Sequence, residues 1–184
     1  MSHMEEQLDR FEQLLEEGLI KICRMQELMD EPMGSPDLEA KWDEFIKDYV
    51  ADAVENFNDF PQAAIGFAAY LGMAVAHHWD KDWTHFRNRK YSSYYGNRGF
   101  DDMDDHIAED ILNLGEDRKK KVSECMLSCT QAVLGLLEHE GIETQTQLGF
   151  YILVRCYTVM FRIGASIELA RLGYRKQTIN KIAN

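Results

Sequence analysis

Apolar residues recur every three or four positions along nearly the whole chain, and no stretch alternates with period two, so the pattern predicts helices from end to end. Leu8, Phe11, Leu15, Ile22, Met25 and Met29 form the seam of a first helix over about residues 5–30, with Gly18 at one seam position, where it weakens the helix or permits close approach. Pro32 and Pro36 interrupt the pattern. Ser35 is placed to cap a second helix with Pro36 in its first turn, where the missing N–H costs nothing. That helix runs to about Asn58 and carries Leu38, Trp42, Phe45, Tyr49, Ala53 and Phe57 on one face, and Glu44, Asp48, Asp52 and Glu55 as an acidic, solvated strip on another.

A third helix, about residues 62–79, is apolar all round through Ala63–Ala76 and is therefore the element buried on every side. Beyond it, Trp83, Phe86, Arg87 and Lys90 extend the helical spacing, whereas Ser92-Ser93 and Gly96-Asn97-Arg98-Gly99 signal a loop. Helical pattern resumes at Asp101 and stops at Gly115, then runs from about Glu116 to Glu140 before Gly141. Thr144 with Gln147 has the spacing of a capping box and opens a long helix, about residues 145–172, ended by Gly173; a short terminal helix is expected from Tyr174. No repeat and no linker divides the chain. The expectation is an all-α, single-domain bundle of six to eight helices around the apolar helix and the long one. Residues 5–184 form the domain, and residues 1–4 read as a cloning remnant.

The 184 residues suffice for one well-buried core without disulfide or metal staples. Their formal charge is -12, which argues against a general nucleic-acid binder and ranks that reading last. The charge is unevenly placed: residues 1–110 carry a net -15 and residues 111–184 a net +3. No secretory signal precedes the first helix. Ala63–Ala76 is too short to span a bilayer, and Leu148–Ala170 is interrupted by Arg155, Arg162 and Glu168, so no membrane partner is expected. Cys23, Cys125, Cys129 and Cys156 form no Cys-x-x-Cys pair, which fits a reduced, cytoplasmic setting.

Four constellations carry candidate chemistry. The segment Phe86–Arg98 holds four bases, three tyrosines and no acid, and Arg87, Arg89, Tyr91, Tyr94, Tyr95 and Arg98 make it a candidate partner-binding loop, since Tyr and Arg are favoured at interfaces. The competing reading folds the loop back on the acidic helix that follows it, Asp101–Asp110. Asp102, His106 and Asp110, spaced by four, form a ridge that, with His78, offers imidazole and carboxylate ligands to a divalent metal or a general base. Against this stand helix capping, the helix dipole and a solvated face. His77 and His78 diverge on a regular helix, and His78 is the better candidate ligand. Asp102-x-x-Asp105 is similar to one of the paired acidic motifs that all-α nucleotide pyrophosphohydrolases place around magnesium, but no second pair accompanies it on a core-flanking helix, and it identifies no family.

Arg155 and Arg162 share a ridge of the long helix, either as a narrow exposed stripe or as an anion site in the interior. Cys125 and Cys129, alone, read as small core side chains. Nothing marks a serine or cysteine nucleophile, and no glycine-rich nucleotide loop is present. The leading expectation is a non-enzymatic protein-binding module needing no cofactor, with a basic protein partner and a homodimer in view; an acidic inhibitor or immunity-type protein is one form of it. The alternative is a metal-dependent hydrolase or small-anion-binding bundle.

Overall fold

The structure is a computed structural model and describes residues 2–176. The expected terminal helix from Tyr174 falls almost wholly outside the described residues. Five long or medium helices and one short one account for most of the chain: α1 (His3–Met25), α2 (Pro36–Asn56), α3 (Pro61–Phe86), α4 (Met103–His106), α5 (Glu116–His139) and α6 (Gln147–Arg171). The fold is all-helical, as the periodicity predicts.

Local chemistry sets most of the boundaries. Ser2 accepts the Glu5 N–H while Glu5 reaches back to the Ser2 N–H, so the residues read as a remnant form a working capping box. Ser35 caps α2 through Leu38 N, with Pro36 in the first turn. Gly141 and Gly173 take positive φ after α5 and α6, the left-handed conformation that releases a chain from a helix. The cap of α6 is Thr146 rather than Thr144: Thr146 Oγ1 accepts Gly149 N–H at 3.0 Å, and the Glu143–Thr144 backbone packs so closely on Gly149 that no side chain fits there.

Two expected elements differ. Helix α1 stops at Met25 instead of about residue 30, because Glu27 turns the chain at φ 58°. Its seam is Leu8, Phe11, Leu15, Leu19 and Cys23; Gly18 faces open space and Met25 is 85% exposed. Helix α3 continues past residue 79 to Phe86 through a break at Asp82, whose carboxylate caps the last turn by accepting His85 N–H.

The core is centred on α3 packed against α6, the largest interface in the molecule, with α1, α2 and α5 around the pair. Ala64–Ala76 are all buried, as an all-apolar helix requires. Backbones touch where side chains are missing: a methyl on Gly164 would overlap the Ala69 carbonyl, and one on Gly72 would overlap that of Phe161. By length and composition α6 alone among the described residues matches a membrane span, and its apolar surface is largely covered by its neighbours.

Candidate functional site

The Tyr/Arg segment lies against α2. Its first half is a 3-10 turn, Tyr91–Tyr94, that buries both tyrosines: Tyr91 packs on Phe45 and Tyr49, and Tyr94 on Phe45. The phenols of Tyr91 and Tyr95 both donate to Asp52 Oδ2, at 2.6 and 2.5 Å. Burial and the carboxylate they share push both phenol pKa values up, so each stays a donor. Arg89 bonds Ser93 and lies 4.7 Å over the Tyr94 ring. The fold-back alternative therefore describes Tyr91, Tyr94 and Arg89, which are not free for a partner. It folds onto α2 rather than the acidic helix after it. Arg87 and Arg98 remain exposed.

Where loop and α2 meet there is an open pocket of about 400 Å³, lined by Glu44, Phe45, Asp48, Asp52, Lys90, Tyr91 and Tyr95 among others. Its walls carry three carboxylates and one lysine. Glu44 is exposed and already bonds Lys41, a lysine only 3% exposed that also donates to the Arg87 carbonyl and ties α2 to the end of α3. Asp48 pairs with no described base. The arrangement offers a fixed carboxylate (Asp52), an unpaired one (Asp48), the outer oxygen of Glu44 and aromatic faces, groups that suit a guanidinium or ammonium.

His78 is 4% exposed and sits at the back of the loop, stacked on Phe86 at 4.0 Å, with Nδ1 2.9 Å from Tyr94 Oη and Nε2 3.5 Å from Arg89. Burial, then the Arg89 charge, lower its pKa to about 3. It is a neutral core imidazole, held mid-helix rather than at a helix end.

The proposed metal set does not assemble. Asp102 is non-helical (φ -119°, ψ 24°) and accepts Arg98 N–H while packing on Gly96. Met103–His106 is α-helical and Ile107–Ile111 is a π-turn, and with Asp102 outside the helix the ridge is reduced to His106 and Asp110. His106 and Asp110 bond each other at 2.9 Å on the surface, with Asp110 69% exposed. His78 and Asp102 have partners elsewhere, His106 and Asp110 pair with each other, and the four do not converge on a common point. The arginine stripe is likewise occupied. Arg155 pairs with Asp9 and Glu12, and Arg162 with Glu12 and Glu39, at a half-exposed seam between α6 and the first two helices. No interior anion site is formed there.

Two groupings were hidden in the sequence. Glu168, 1% exposed, accepts both arms of Arg171 at 2.6 and 2.7 Å and contacts His77 Nδ1 at 2.9 Å. Near it, Arg118 has a buried Nε without a partner and a guanidinium pKa lowered by burial and by Arg171. Second, Cys23 joins Cys125 and Cys129, with all three sulfurs within 4.8 Å of one another and all three side chains buried. The Cys23 and Cys125 sulfurs are 3.8 Å apart, and the mutual contact of the three sulfurs lowers the Cys125 pKa and raises those of Cys23 and Cys129. The only usable signal for Cys23 was its place four residues after Leu19. Comparison of the chain with protein-family models, curated proteins and solved structures finds no match.

Proposed function

We propose that this chain is a non-enzymatic protein-binding module whose α2 face takes a basic segment of a protein partner. The observation that carries the reading is the pocket of Glu44, Asp48 and Asp52, walled by Tyr91 and Tyr95. Two phenols hold the Asp52 carboxylate in place, so the rotamer cost of forming a charge-assisted bond is already met. The surrounding charge acts in the same direction, because residues 1–110 are net -15 and steer a cationic partner toward α2. An acidic inhibitor or immunity-type protein covering a basic target is the concrete form, operating in a reducing, cytoplasmic setting. A homodimer belongs to the same proposal and is read directly by light scattering.

The test is fluorescence anisotropy with a labelled peptide rich in arginine and lysine. Glu44→Gln with Asp48→Asn is compared with Glu17→Gln plus Glu138→Gln, exposed acids on α1 and α5, so that net charge is equal in the two variants. The pocket pair weakens binding about tenfold, or about 1.4 kcal/mol, and the control pair less than about twofold. Equal losses in both would reduce the interaction to bulk charge and remove the reading.

A further inference from the structure

We propose that Cys23, Cys125 and Cys129 form a three-thiol site for monovalent copper between α1 and α5. The site is independent of the acidic pocket on α2. Cys125 and Cys129 are one helical turn apart on α5 and face the same way, while Cys23 comes from the last turn of α1, 102 positions from Cys125 in sequence. The Cys23 and Cys125 sulfurs are 3.8 Å apart and no pair in the group exceeds 4.8 Å. The centre of an equilateral triangle with those edges lies about 2.2 to 2.8 Å from each corner, which brackets the ~2.3 Å bond that thiolate sulfur makes to a d10 ion such as Zn²⁺. A symmetric site at that bond length needs edges of about 4.0 Å, within about 1 Å of every edge in the group.

Ligand chemistry and burial narrow the ion. Thiolates select Cu⁺ and Zn²⁺ and reject hard cations. Zn²⁺ almost always takes four ligands, and among the described residues no fourth His, Cys, Asp or Glu reaches the group. All three cysteines have no exposed surface, so a solvent water is not at hand either. Cu⁺ accepts three sulfurs without a fourth donor. Each thiol that ligates gives up its proton to solvent as the ion binds, since the thiolate is the ligating form, and no electron is transferred. Entry requires only that the end of α1 opens: Cys23 lies two residues from the helix end, and the chain reverses at Glu27.

Reduced full-length protein is titrated with Cu⁺ held by a chromogenic chelator, and metal is counted per chain after gel filtration. The expected result is one Cu⁺ withdrawn per chain. Affinity falls at least about 100-fold in Cys23→Ala and in Cys125→Ala and is unchanged in Cys156→Ala, a buried thiol on α6 outside the cluster. X-ray absorption on the copper-loaded wild type reads three sulfurs around copper, a result that does not depend on any variant folding. The proposal is overturned by failure to take copper from the chelator, by an equal loss in Cys156→Ala, by a shell of two sulfurs or of nitrogen and oxygen, or by tighter retention of Zn²⁺ in the same competition.

Discussion

Lowering the pH through the weakly acidic range tests the description of His78 as a neutral imidazole. In the unfolded chain a histidine titrates near 6.5. In the folded protein burial and the facing Arg89, with His77, Lys81 and His85 adding smaller repulsions, hold its pKa near 3. Between those values the unfolded state binds a proton that the native state refuses, so stability rises with pH through that window and is lost as pH falls below about 6.5. At pH 5 the loss is about 2 kcal/mol, taking 1.36 kcal/mol for each unit below 6.5. For a chain of this length that corresponds to a drop of about 4–8 °C in Tm. The assay is urea unfolding of wild type and His78→Gln at pH 7.5 and pH 5. The variant loses the stacking on Phe86 and the bond to Tyr94, costing about 1–2 kcal/mol at pH 7.5, but it has no imidazole to charge. The wild type therefore falls by about 2 kcal/mol more than the variant between the two pH values, and the surface carboxylates cancel in the difference. Parallel pH profiles would refute the argument, since His78 would then be reaching solvent or a carboxylate when protonated.

Two further perturbations address the core. Gly164→Ala puts a methyl within 2.5 Å of the Ala69 carbonyl carbon and 2.7 Å of its Cα; with backbone on the opposing side, α3 and α6 must separate, and we expect roughly 3 kcal/mol of destabilisation in urea unfolding. Gly135→Ala on α5 meets nothing within 4 Å and should stabilise by about 0.5–1 kcal/mol, so the two changes shift the midpoint in opposite directions. Glu168→Gln leaves Arg171 and the neighbouring Arg118 without their carboxylate, and the expected cost is about 3 kcal/mol, with a weak dependence on added salt because Glu168 is fully buried. A midpoint within error of wild type would mean that the Glu168 cluster contributes nothing to folding.

The architecture was legible because it depends on local rules. Three-four spacing identified five long helical segments, Pro36 and Ser35 located the start of α2, and the unbroken apolar surface of residues 63–76 marked the central element. The errors arose where periodicity assumes an ideal α-helix. In α1 the assumed seam passed through Gly18 and Met25, and the structure rotates it onto Leu19 and Cys23, because the helix ends at Met25 and Met29 belongs to the reversed chain. After Phe100 the assumed helix is a 3-10 turn, one α-turn and a π-turn in succession, each with its own number of residues per turn. Of the Asp–His–Asp ridge projected on a constant 100° rotation only the His106–Asp110 contact survives, because Asp102 lies outside the helix. Site chemistry was less legible still, since Asp52 meets Tyr91 and Tyr95 across about 40 positions and Cys23 meets Cys125 across 102. Spacing along one helix carries no information about pairs made between helices.

The uneven charge along the sequence acquires a structural meaning from the ion pairs. Arg155 and Arg162, in the basic part, face Asp9, Glu12 and Glu39 in the acidic part, and Lys119 on α5 meets Asp105 and Glu109. Much of the complementarity between the two parts is thus satisfied within one chain. Exposed pairs of this kind contribute about 0–1 kcal/mol each, so their main effect is on orientation, holding α1 and α2 in register on α6. They also decide which acids are left over. Asp43, Asp48, Glu55 and Asp59, all exposed on α2 or the turn after it, meet no base among the described residues. A helix with unpaired acids along its outer side repels itself, and the repulsion is relieved when a cation is bound. On the proposed reading, a basic segment with one residue in the Asp52 pocket would also lie beside Asp48 and Glu55, on the same side of α2. That coincidence, more than the total of -12, is what supports the proposal of a basic partner.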